Sequence, residues 1–255
     1  MSLVALVTGA AGGIGRATVQ AFLDRGFDVA AVDAVDAVLQ LPQQLSPVQT
    51  GRLRTFVTDI TDDDSVSTLA TDVADAFGRL DAVALVAGVV QTAAPVTELD
   101  PTHWRHVLEV NITGPFLLCR ALTPLLKEDG GGTITAVSSW WGRSGHAYFS
   151  AYCASKAAVI VFVQALAEEL APTVRVNTVC PGNIDTGMHR AALQSEADKR
   201  GISFEEMKDI EWAKIPLNIA GPPSSIAEAI VWLSSPAASY VTGASLDVNG
   251  GVVFH

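Results

Sequence analysis

Leu3-Val4-Ala5-Leu6-Val7-Thr8-Gly9-Ala10-Ala11-Gly12-Gly13-Ile14-Gly15 decides the reading of the whole chain. Its apolar run, Leu3–Val7, reads as a buried strand, and the stretch that follows, Ile14–Arg25, has helical period. Between them the glycines let the backbone turn tightly and approach a bound diphosphate, while the helix start offers free N–H groups and a favourable dipole. A glycine cluster alone is common in turns. The strand–loop–helix setting makes Gly9, Gly12, Gly13, Ile14 and Gly15 candidate nucleotide contacts. Met1-Ser2 brings no basic flank and no cleavage site follows, so a first strand is expected here rather than a signal peptide.

Working outward, short β-branched runs alternate with longer amphipathic stretches. Strands are expected at Leu3–Val7, Asp28–Val32, Leu53–Val57, Ala82–Val86, Gly132–Val137, Val174–Val179 and Ser245–Val248. Helices are expected near Ile14–Arg25, Asp63–Phe77, Thr102–Lys127, Ala151–Leu170 and Ser224–Leu233. This alternation implies βαβ units, and strands this apolar imply helices on both sheet faces. The expected architecture is α/β: a single domain over 1–255, a doubly wound Rossmann fold with a seven-stranded parallel sheet. The polar, partly helical segment 187–222 breaks the alternation after a strand end, which reads as a substrate lid or as a plain surface hairpin.

The second strand ends at Asp33, about twenty residues beyond the glycines. A carboxylate there accepts hydrogen bonds from both adenosine ribose hydroxyls and repels a 2′-phosphate. Ala34 follows it rather than arginine, and Arg16 is expected to face the helix surface, so NAD is favoured over NADP. Asp36 either shares that role or is a solvated loop residue. After the third strand, Asp59 either reaches an adenine amino group, with Ile60 packing the ring, or caps the helix starting near Asp62.

Composition narrows the class of partner. The chain of 255 residues is 49% hydrophobic and 17% charged, which fits a globular domain with a sizeable core. A net charge of −11 disfavours nucleic acid and anionic membrane. No apolar run approaches the ~20 residues of a bilayer span. Cys119, Cys153 and Cys180 have no paired spacing, so neither disulfides nor a metal site is indicated, and a reducing cytoplasm is expected.

Further along, Tyr152 and Lys156 stand four apart at the start of a long helix and so share a face. A phenol titrates near ~10 in water, and a cation within a few ångströms lowers that by roughly 1–3 pH units. The bare spacing is common by chance, and a half-buried tyrosine beside a surface lysine is its plain alternative.

The chain resembles the short-chain dehydrogenase/reductase superfamily over essentially its whole length. The matching pieces come in family order: the Thr8–Gly15 loop, Asp33, Asp59, Asn111, Ser139, Tyr152 with Lys156, Pro181-Gly182, and Tyr240-Val241-Thr242-Gly243 before Gly250-Gly251. Ser139 lies 13 positions before Tyr152, the family's usual interval. This resemblance implies that Tyr152 is general acid/base, and that Lys156 holds the nicotinamide ribose and lowers the phenol pKa. Ser139 would hydrogen-bond the substrate oxygen. Asn111 would kink its helix and support a proton-relaying water. Ala87-Gly88 would lie against the adenosine ribose, and Pro181, Gly182, Ile184 and Thr186 at the nicotinamide. It also implies a homotetramer.

Two positions depart from the family pattern. Val86 stands where an asparagine usually links neighbouring strands, so packing is expected to replace its hydrogen bonds. Asn249 stands for a usual aspartate, with a structural consequence at most. For substrate, Trp140, Trp141, His146 and Trp212 are the candidate contacts, suggesting an aromatic cleft for a small neutral ketone or secondary alcohol. The tryptophans can instead pack structurally, and His146 and Gln91 either bind a second hydroxyl or are solvated. The C-terminal third is similar to polyol and acetoin/butanediol dehydrogenases. A 3-oxoacyl reductase and a non-catalytic NAD(H)-binding regulator are the alternatives.

Overall fold

A computed structural model describes residues 2–44, 47–128 and 130–254; Met1 of the first-strand reading and His255 of the expected single domain lie outside them. Strands β1 (Val4–Thr8), β2 (Asp28–Asp33), β3 (Leu53–Val57), β4 (Ala82–Leu85), β5 (Gly132–Val137), β6 (Val174–Pro181) and β7 (Ser245–Val248) form one sheet. Their order is β3-β2-β1-β4-β5-β6-β7, and every pairing is parallel. The helices are α1 (Gly13–Asp24), α2 (Pro47–Thr50), α3 (Asp63–Phe77), α4 (Pro101–Leu108), α5 (Gly114–Glu128), α6 (Ser150–Leu170), α7 (Gly187–Arg200), α8 (Phe204–Trp212) and α9 (Pro223–Leu233).

Strand alternation explains why both faces are covered. Val4 and Leu6 of β1 point into a core with Val66 and Leu69 of α3, Leu118 of α5 and Val159 of α6. Ala5 and Val7 point the other way, against Val19 and Phe22 of α1 and Ile226 and Ile230 of α9. Each of these side chains is buried; fully burying one Leu, Ile, Val or Phe stabilises the fold by about 1.5–3 kcal/mol. The chain crosses from one side of β1 to the other between β3 and β4, so the connections leaving the paired strands β1 and β4 run in opposite directions, a switch point where such sheets bind ligands.

Two expectations change. The run Thr102–Lys127 is not one helix: α4 and α5 are joined by a π-helical turn, Glu109–Thr113, with Asn111 at its centre. Its apolar period carries across the turn, which is why the sequence reads as continuous. The second concerns α6, which is long and apolar enough, by length and composition, to cross a membrane. Its apolarity has a local cause, because Val159, Val163, Ala167 and Leu170 fill the core against the sheet.

Segment 187–222 contains a helical hairpin. Thr186 caps α7 by accepting from His189 N–H, Ser203 caps α8 by accepting from Glu206 N–H, and Leu193, Ala197 and Met207 form a small core of their own. At its base Asp185 N–H donates to Gly221 and Gly221 N–H donates to Asn183, at 2.9 Å each.

Candidate active site

The glycine loop joins β1 to α1. The N-cap Gly12 has no side chain to offer, so the first N–H groups of α1 lack a side-chain cap. Asp33 Oδ2 accepts from Ala11 N–H at 2.9 Å, which fixes the carboxylate beside the loop. Arg16 is exposed on the helix surface, as expected. Its guanidinium doubles back to the Ala11 carbonyl at 3.4 Å and to Gln44 Oε1 at 3.0 Å. Asp36 is exposed at the start of a 3-10 turn, Asp36–Gln44.

At the third strand the two readings of Asp59 separate. Asp62, not Asp59, caps α3, accepting from Ser65 N–H at 2.9 Å. Asp59 Oδ1 instead accepts from Thr61 N–H and Oγ1, which holds its carboxyl below the usual carboxylate range. Ile60 is buried, its Cδ1 lying against Gly114 at the start of α5, so its side chain is committed to the core.

Thr8 does what the missing asparagine would do. Its hydroxyl, 1% exposed as a residue, accepts from Val86 N–H at 3.0 Å and Ala87 N–H at 3.1 Å, tying the end of β1 to the end of β4. Packing alone, expected for Val86, is therefore only part of the account. Thr8→Val keeps the shape but strands two N–H groups and is expected to cost about 1–3 kcal/mol. Urea denaturation checks this, and a loss under about 0.5 kcal/mol would remove Thr8 from the role.

The chemical end gathers at the carboxyl ends of β4, β5 and β6. Tyr152, in the first turn of α6, stands near enough to Ser139, just after β5, for the serine to draw its phenol pKa down. Lys156, 4% exposed, donates through Nζ to the Val137 carbonyl at 3.0 Å and lies 5.8 Å from the centre of the Tyr152 ring. Ser138 Oγ donates to the Lys156 carbonyl at 2.7 Å, locking strand end to helix. Burial pushes Lys156 down to about 8. The expected lowering of the phenol by Lys156 is not what governs this geometry. Burial pushes Tyr152 up, and Ser139 offsets only part of that.

Asn111 is 1% exposed and fully engaged. Oδ1 accepts from Val89 N–H at 2.8 Å, and Nδ2 donates to the Val89 carbonyl at 2.9 Å and to Ser155 Oγ at 3.0 Å. The kink implied for it is present, but the side chain anchors protein rather than presenting a free donor to a water. Gly88 sits between the groups: a Cβ there would lie 3.1 Å from Lys156 Nζ and 3.2 Å from Asn111 Oδ1.

Toward the lid, Ile184 is buried and bridges Gly221, while Thr186 Cγ2 stands 2.9 Å from where Gly13 would carry a Cβ. Gly182 donates to the Val248 carbonyl at 3.1 Å and packs on Asn249. Asn249 in turn donates to the Val253 carbonyl at 3.0 Å and accepts from Gly251 N–H at 2.8 Å, so its consequence is structural, as expected. Pro181 ends β6, two residues beyond the strand end read from the sequence.

Of the substrate candidates, Trp141 meets Tyr152 edge-on at 5.9 Å between ring centres, stacks on His146 at 4.6 Å and packs on Phe149 at 4.7 Å. Trp140 joins through His146 at 4.6 Å. These rings form a wall beside the phenol, combining the lining and packing readings. Trp212 belongs to the hairpin, with the Lys208 ammonium 5.0 Å from its ring centre. Gln91 is neither solvated nor free, since it is buried and fully bonded.

A nicotinamide dinucleotide fits these residues: an uncapped helix start beside Gly12–Gly15, a carboxylate at Asp33, and Gly88 bringing the backbone close to Lys156 and Asn111 where a side chain would crowd them. Fold and site together define a Rossmann-fold oxidoreductase of the CH–OH/carbonyl type. Residues 9–253 match the family described as enoyl-(acyl carrier protein) reductase. The chain is 37% identical to cis-4-hydroxycyclohexanecarboxylate dehydrogenase of Sinomonas cyclohexanicum, covering 97% of this chain and 95% of that one. It is also 37% identical to D-threitol dehydrogenase of Mycolicibacterium smegmatis, covering 97% and 92%. Actinorhodin polyketide ketoreductase, solved as a single-substitution variant with NADPH, superposes with a TM-score of 0.93 at 31% identity, covering 98% and 97%. The chain belongs to the short-chain dehydrogenase/reductase superfamily, whose members bind a nicotinamide cofactor.

Proposed function

We propose that this protein interconverts a small neutral secondary alcohol and a ketone using NAD, with Tyr152 as general acid/base. The observation that carries the reading is the convergence of Tyr152, Ser139 and the buried Lys156 beneath Gly88 at the switch point of the sheet. A bound nicotinamide supplies the hydride acceptor or donor. Tyr152 Oη gives its proton to the carbonyl oxygen in reduction and takes the hydroxyl proton in oxidation. Ser139 Oγ–H stabilises the negative charge that develops on that oxygen. Lys156 Nζ holds a cation beside the phenol and offers donors to a ribose, while Asn111 fixes the loop after β4. Asp33 favours NAD because its charge opposes a 2′-phosphate.

The aromatic wall of Trp141, His146, Phe149 and Trp140 supports a neutral substrate, and burial holds His146 below the usual histidine range. We further propose that 187–222 acts as a lid, since α7 and α8 pack mainly on each other and on their own small core. A homotetramer in a reducing cytoplasm is the proposed setting, supported by three buried, unpaired cysteines and by exposed Leu217, Ile219 and Phe254. Reduction of a 3-oxoacyl thioester is the second reading, favoured by the family description and the ketoreductase likeness; the net charge of −11 opposes an acidic carrier protein.

A substrate panel tests this: cyclic and linear ketones, diketones, sugars, polyols and 3-oxoacyl thioesters, each with NADH and NADPH. Turnover of a neutral ketone with NADH is expected. Tight NADH binding without turnover on any of them, in the parent and Tyr152→Phe alike, would leave a regulator instead.

A further inference from the structure

Helix α6 carries Tyr152 but has no capping side chain of its own, because its N-cap residue is Phe149. Its first N–H groups find their acceptor in Gln91, far away on the loop after β4. Gln91 Oε1 accepts from Ala151 N–H at 2.7 Å and from Tyr152 N–H at 3.4 Å. The same side chain donates through Nε2 to the Tyr148 carbonyl at 2.9 Å, which also accepts from Ala94 N–H at 3.1 Å. Tyr148 holds a φ of +70°, a left-handed conformation that a tyrosine rarely adopts. Two donors on its carbonyl keep it there.

The carbonyl side of Tyr152 is fixed as well. Ser155 Oγ donates to it at 2.8 Å and accepts from Asn111 Nδ2 at 3.0 Å. Asn111 also clasps both backbone groups of Val89, two residues before Gln91. One loop therefore holds the Tyr152 peptide at its N–H through Gln91 and, by way of Asn111 and Ser155, at its carbonyl.

We infer that Gln91 is a positioning residue that fixes the start of α6 and so the phenol of Tyr152 against Ser139. The inference rests on Tyr152 being the proton-transfer group. Without Gln91 the buried N–H of Ala151 loses its partner, and the first turn of α6 is free to shift. Nothing at the glycine loop or Asp33 depends on Gln91, so cofactor affinity is expected to stay.

Gln91→Met, which removes acceptor and donor, is compared with Gln91→Glu, which keeps the acceptor and, when protonated, the donor. Expected for Gln91→Met is a fall in kcat of about 10- to 100-fold with the NADH Kd within about twofold, and faster exchange of the Ala151 and Tyr152 amides. Gln91→Glu should return kcat to within about fivefold of the parent. Unchanged kcat in Gln91→Met overturns the inference, as does a joint loss of kcat, NADH affinity and Tm in both variants. Should Gln91→Met not fold, Gln91→Glu decides: protected amides with near-parental kcat support the role, and unprotected amides with near-parental kcat overturn it. Tyr152→Phe is assayed alongside. If it still turns over, the acid/base reading has failed, and this inference falls with it.

Discussion

Tyr152→Phe is expected to lower kcat by about 10²- to 10⁴-fold in both directions while leaving NADH affinity intact. The substitution keeps the edge-on contact with Trp141 and the packing of α6, and removes only the phenolic oxygen. The two directions should respond oppositely to pH in the parent. Burial raises the phenol pKa, so Tyr152 is protonated near neutral pH and set to donate to a carbonyl. Oxidation needs the phenolate, so its rate should climb with pH, and reduction should decline as the phenol ionises. Lys156, pushed down to about 8, loses its charge before the phenol ionises, which removes the cation that favours the phenolate and broadens the oxidative limb. Initial rates for both directions between neutral and alkaline pH, with NADH affinity read by fluorescence, check this. A Phe variant within about tenfold of the parent would remove Tyr152 from the proton transfer.

What was legible in the sequence is what is local in it. The glycine loop, Asp33 and the Tyr152–Lys156 pair each lie within one strand–turn–helix unit, where spacing alone fixes which groups share a face. The parallel sheet followed from the alternation of apolar runs, and its strand ends were misplaced by only a residue or two, as with β6 running on to Pro181. Contacts between loops distant in the chain were illegible. Nothing in Gln91 or Thr8 announces a hydrogen bond to residues more than fifty positions away, although each replaces a missing local device: a cap for α6, an asparagine at Val86. The π turn at Asn111 was hidden for a different reason. An extra residue in a helical turn does not disturb a periodicity read over so long a run, and only the family resemblance pointed to it.

Asp33→Ala with Ala34→Arg is expected to raise the ratio of kcat/KM for NADP over NAD by about 10²- to 10³-fold. Two unit charges about 4 Å apart near a protein surface interact by about 4 kcal/mol at most, and the half-exposed setting of Asp33 reduces that. Under the proposed NAD reading, Asp33 has two roles that this variant removes together. Its carboxylate holds Ala11 N–H at 2.9 Å, and its charge would oppose a phosphate on the proposed ribose. Asp33→Asn separates them, since the amide oxygen still accepts from Ala11 while the charge is gone. If charge sets the preference, Asn alone should move the ratio most of the way that Ala does, with little loss of NAD affinity. Arg16 sharpens the test. Its guanidinium already reaches the Ala11 carbonyl, so once Asp33 is neutral a cation stands on the same loop residue, ready for a 2′-phosphate. Arg16→Gln in the Asp33→Asn background should then withdraw part of the gain. A ratio unchanged in every variant would mean that neither Asp33 nor Arg16 reads the ribose, and that the preference is set elsewhere in the adenosine site.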